Sequence, residues 1–181
     1  MEDVLRNELL AMEAEDRRVR AELVADRSLF DGYHPRMEEV HRRNAARLTE
    51  IIDERGWPGR GLVGEDGARA AWFVLQHAIG NPGLQRRGLQ LLREAVAAGE
   101  APALQAAYLE DRICFFEGRP QKYGTPYDGD ESGELNPHPV EDPAGVDERR
   151  RAVGLGPLAE NTRRVREEAA RSSDPLHVFF I

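Results

Sequence analysis

The chain is short of the residues that most often announce chemistry. It has one cysteine, Cys114, so neither an internal disulfide nor a cysteine-based zinc site can form. Cys114 stands between Ile113 and Phe115 and reads as a buried apolar thiol. Lys122 is the sole lysine among 25 Lys and Arg residues, and the net charge is -8. An acidic chain without a lysine cluster is not expected to bind nucleic acid, because phosphate binding needs concentrated positive charge. No apolar run approaches the roughly 20 residues that cross a bilayer. The first residues, MEDVLRNELL, lack the apolar core of a secretion signal. The expectation is a cytoplasmic protein that meets no membrane.

Several catalytic signatures are also missing. The glycine-rich GWPGRGLVG (56–64) lacks the GK[ST] ending of a phosphate-binding loop and reads as a tight connection with Trp57 packed over it. No GxSxG elbow supports a serine nucleophile. No HExxH or HxH spacing marks a metal site.

What is present is helical periodicity. Residues 2–27 carry Leu5, Leu9, Met12, Val19 and Leu23 at spacings of three and four. A second helix runs from about Pro35 to Arg55, with Gly56 ending it. A third covers about 65–78. A fourth follows Asn81-Pro82 and stops at Gly99, and a fifth starts near Pro102. Helix signals fade from Gln121 to Val140, where Asp128-Gly129 and Ser132-Gly133 suggest a hairpin. Asp142-Pro143 restarts a helix with Asp142 as its cap, and a last helix spans about 157–171. The apolar tail DPLHVFFI reads as an edge strand or a groove plug. The fold class expected is mainly α: a single domain over 1–181, a bundle of about six to seven helices with a short β-hairpin near 121–141.

Polar residues interrupt several inward stripes. Asp16 falls between Met12 and Val19, Asn44 lies on the second helix's stripe with His41 at its margin, His77 is on the third, and Asp111 on the fifth. A buried charge is unfavourable unless paired, so these residues either find partners or line one wet cavity. The stretch 106–151 adds Arg112, Gln121, Tyr123, Glu141 and Arg149. If the groups converge, the natural chemistry is general acid–base catalysis. His77, Asp111, Glu141 and Tyr123 are then the catalytic candidates. Asp16, Asn44, Arg112, Gln121 and Arg149 are the substrate-binding candidates, the arginines suiting an anionic group. No obligatory cofactor and no metal are expected on this reading. A metal-dependent enzyme with ligands drawn from His77, His41, Asp16, Asp111 and Glu141 is one alternative. A non-catalytic binding or regulatory module with a protein partner is the other.

Three blocks carry a family resemblance: GWPGRGLVGEDGARAAWFVLQHA (56–78), AYLEDRICFFEGRPQKYGT (107–125) and PVEDPAGVDERRRAVGLGPL (139–158). Together they resemble a bacterial domain-of-unknown-function family over roughly residues 16–158. The resemblance implies a small, mostly helical cytoplasmic domain. Its motif positions here are His77, Asp111, Arg112, Gln121, Tyr123, Gly124, Glu141, Asp142, Asp147 and Arg149. It implies no activity. Residues 28–36 and the tail depart from the pattern.

Overall fold

The computed structural model describes residues 2–130 and 132–171, without the side chains of Phe30 and Asp31. The DPLHVFFI tail, expected to pair as a strand or fill a groove, lies outside the described residues. The chain is mainly α-helical with one two-stranded antiparallel sheet, as its periodicity predicts. It divides into two compact units, Met1–Ala101 and Pro102–Ile181.

The first unit is a bundle of α1 (Asp3–Ala25), α2 (Pro35–Arg55), α3 (Arg60–His77) and α4 (Pro82–Ala97). A short 3-10 turn, Ser28–Asp31, links α1 to α2. The α1 stripe Leu5, Leu9, Met12, Asp16, Val19, Leu23 is buried throughout, so Asp16 occupies a core position. α1 packs mainly on α3 and α2. His34 caps α2 by accepting the Arg36 N–H, and Pro35 opens the first turn.

The structure corrects one boundary. The glycine-rich connection does not run to residue 64, because Arg60–Val63 already forms a helical turn. Gly64 then breaks the geometry with φ 75°, a left-handed conformation open to glycine at little cost, and the helix resumes. Trp57 is partly buried. The carbonyl end of α3 is sealed by α4: the buried Gln85 donates from Nε2 to the carbonyls of Leu75 and Gln76. That seal fixes the last turn of α3, where His77 stands.

The second unit contains α5 (Ala103–Phe116), β1 (Tyr127–Gly129), β2 (Leu135–Pro137), a 3-10 turn at Pro143–Gly145, α6 (Val146–Ala152) and α7 (Leu158–Arg171). The strands pair Tyr127 with Pro137, Asp128 with Asn136 and Gly129 with Leu135. Asp130 shapes the turn: its Oδ1 accepts the N–H groups of Ser132 and Glu134. Tyr127 is fully buried against Val165 and Leu135, and its hydroxyl meets Thr162 Oγ1 at 3.0 Å. Asp142 does not cap the next helix. It adopts φ 43°, makes no side-chain cap bond, and its carboxylate accepts instead from Arg149.

Candidate functional site

Three helices of the first unit bring their inward polar residues to one point. Asp16 from α1, His41 from α2 and His77 from α3 present an oxygen and two nitrogens within 4.8 Å of one another. His77 Nδ1 lies 2.9 Å from Asp16 Oδ2. His41 Nε2 lies 3.0 Å from the same oxygen, close enough for an ion pair but without hydrogen-bond alignment. All three side chains are almost fully buried, at 1–5% exposure.

The electrostatics centre on Asp16. Burial pushes its carboxyl up, but the two imidazoles outweigh that and hold it well below the usual carboxylate range. It is therefore ionised at neutral pH. Its second oxygen, Oδ1, is buried and has no hydrogen-bond partner among the described residues. An unmet buried acceptor costs roughly 1–3 kcal/mol, so this arrangement is not one that packing alone favours.

The surroundings hold the rings. Tyr33, on the connection before α2, lies 2.7 Å through its hydroxyl from His41 Nδ1, and its ring stacks on the imidazole. Tyr33 is 45% exposed, so the chain of contacts reaches solvent there. Burial pushes its phenol up to about 12. Phe73, one turn before His77, packs on that imidazole with centroids 4.1 Å apart. Arg17 also packs on Phe73, its guanidinium 4.5 Å from the ring centroid. Glu13, buried at 5%, accepts from Arg17 and Arg69.

Of the residues expected from the sequence, Asp16 and His77 meet here, joined by His41. Asn44 is buried beside them, and its Nδ2 donates to the Met12 carbonyl at 3.3 Å, tying α2 to α1. Tyr33 and Glu13 were not singled out. The signal for Tyr33 was an aromatic held between the Asp31-Gly32 turn and Pro35. Glu13 was hidden because it lies one helical turn from Asp16, beside the stripe rather than on it.

The other expected residues belong to the second unit, where most of them bind backbone. Asp111 is fully buried. The N–H groups of Lys122, Tyr123 and Thr125 donate to its carboxylate at 2.7–3.1 Å, as does the Thr125 hydroxyl. Burial pushes this carboxyl up, while those donors pull it down. Arg149 donates to the carbonyls of Lys122, Glu141 and Asp142. The buried Arg150 donates to those of Tyr123 and Gly156. One carboxylate thus holds the amides of Lys122, Tyr123 and Thr125, and two guanidinium groups hold the carbonyls of Lys122 and Tyr123.

Gln121 joins this clasp. Its N–H meets the Pro139 carbonyl and its own carbonyl receives the Glu141 N–H. Its side-chain Nε2 donates to the Pro126 and His138 carbonyls, and its buried Oε1 has no hydrogen-bond partner among the described residues. Tyr123 is partly buried, and the Glu141 side chain is exposed. Arg112 is buried, which pushes its guanidinium down to about 10. Cys114 is buried, as its apolar neighbours predict.

No described helix is long and apolar enough to cross a membrane. No curated protein and no solved structure matches the chain. A family model does match, over residues 3–172, and so spans both units. The chain belongs to the family of unknown function DUF6624.

Proposed function

We propose that the protein is an enzyme performing proton-transfer chemistry on a small molecule at the Asp16–His41–His77 centre. One observation carries the reading: a buried, ionised carboxylate holds two imidazoles within 3.0 Å, from three different helices. An imidazole gains and loses protons near neutral pH, and a fixed carboxylate orients the ring and stabilises its cationic form. A buried carboxylate perturbed by specific partners from two other helices favours a functional site over simple packing. Tyr33 supplies the link to solvent. The setting proposed is the cytoplasm, with a small-molecule substrate.

The test is untargeted. Purified protein is incubated with a metabolite extract, and depletion is followed by mass spectrometry. Turnover is expected in the wild type and lost in His77→Ala and Asp16→Asn, each with helical circular dichroism retained. Turnover that survives in both folded variants removes this centre from the chemistry. Binding of a metabolite with no conversion moves the protein to the class of binding modules.

A further inference from the structure

We infer that Asp16, His41 and His77 are the protein ligands of a divalent transition-metal ion of the zinc class. The inference deepens the proposed centre and rests on the same cluster, but its readout needs no substrate.

Three observations point to an ion rather than to an internal ion-pair network. The first is the donor set. Two imidazole nitrogens and one carboxylate oxygen suit zinc and neighbouring divalent ions of borderline softness. Three protein ligands also leave a coordination position for solvent or substrate, the arrangement of catalytic rather than structural sites.

The second is spacing. Donors each ~2.1 Å from one tetrahedrally coordinated ion stand ~3.4 Å from each other, so the contacts here need open only slightly to admit it. Asp16 Oδ2 stands 2.9 Å from His77 Nδ1 and 3.0 Å from His41 Nε2.

The third is what hydrogen bonding leaves over. His41 Nε2 and Asp16 Oδ1 are buried and have no hydrogen-bond partner among the described residues. Side chains this buried are normally satisfied, and an ion held by His41 Nε2 and by both Asp16 oxygens would satisfy the two together. The outer contact of His41 agrees. A ligating imidazole usually gives its other N–H to a neighbour, which fixes the tautomer. Nδ1–H donating to the Tyr33 oxygen leaves the Nε2 lone pair facing Asp16 and His77. Tyr33 is thus a positioning residue for the ligand His41.

An ion here changes the agent of proton transfer but not the place. A bound ion would supply Lewis-acid chemistry and make a water held on it acidic near neutral pH. His77 then acts as a ligand.

Metal content is measured by inductively coupled plasma mass spectrometry on protein purified without chelator. Chelator-stripped protein is then titrated with Zn²⁺ against a chromophoric competitor, and with Co²⁺ for its absorption spectrum. Stoichiometric Zn²⁺ and a Co²⁺ spectrum distinct from the aquo ion are expected. Asp16→Asn, His41→Gln and His77→Gln should each abolish stoichiometric binding. Tyr33→Phe, with the ligands intact, should weaken it by ~10–100-fold. His138→Gln, which alters a partly exposed histidine paired with Asp128 in the second unit, should change nothing.

If the ligand variants do not fold, the wild-type Co²⁺ spectrum and Tyr33→Phe decide. Stripped wild type that takes up no ion in excess zinc overturns the inference, as does binding unchanged in the folded variants. The two readings fail separately. Protein that takes up no ion in excess zinc yet turns over a metabolite through His77 sustains the enzyme and ends the metal site. Loaded protein that converts nothing sustains the metal site and ends the enzyme.

Discussion

Asp111→Ala is the substitution that asks most of the second unit. In the native protein this fully buried carboxylate receives three backbone N–H groups and one hydroxyl. Alanine removes the acceptor and leaves the donors in place. Each buried donor left unmet costs ~1–3 kcal/mol, and water entering the space left by the carboxyl recovers part of that. A net loss of ~3–5 kcal/mol is expected, a large share of the ~5–15 kcal/mol that holds a typical domain. With a urea dependence of ~2 kcal/mol/M, the unfolding midpoint falls by ~2 M. Asp111→Asn should lose less, because one amide oxygen still accepts while its NH₂ faces donors. Equilibrium urea denaturation followed by circular dichroism gives the midpoint. Amide hydrogen exchange at Lys122, Tyr123 and Thr125 shows where protection is lost. A midpoint shift below ~0.5 M for Asp111→Ala would refute the clasp. It would return Asp111 to the catalytic role that its position on the sequence stripe suggests.

Arg150→Met keeps much of the buried stem but strands the carbonyls of Tyr123 and Gly156; a stability loss of ~2–4 kcal/mol is expected in the same urea assay. Gly124→Ala should lose ~1–3 kcal/mol by thermal melting, since φ is +72° and the new Cβ would sit 2.6 Å from Leu158 Cδ1. Adding Leu158→Ala should relieve the crowding but not the backbone strain, so a double-mutant cycle showing no coupling counts against the close approach.

The sequence exposed the helices well because each buries one face, and a buried face must repeat every three or four residues. The α1 stripe shows it: Asp16 stands where the repeat demands an apolar residue, so its burial was legible before its partners were. His77 and Asn44 were legible in the same way. The α3 start was not, because Gly64 interrupts a helix that the periodicity could follow only from one side. The clasp was half legible. Asp111 read as an inward charge in need of a partner, for which an arginine is the usual candidate. The structure gives it backbone N–H groups instead, and such donors are present at every residue but proline, leaving no mark on composition.

By itself, then, the sequence determined the mainly helical class, the short hairpin and the set of polar side chains that enter the interior. Those follow from local periodicity and turn chemistry, which neighbouring residues encode. Only the tertiary structure decided which of those side chains meet. It brought His41 and His77 to the same oxygen of Asp16, and it turned Asp111, Arg149 and Arg150 onto one stretch of backbone. Such meetings depend on how helices far apart in the chain pack. A difference of one residue in helical phase turns a side chain by ~100°, which separates a shared centre from a set of unrelated pairs.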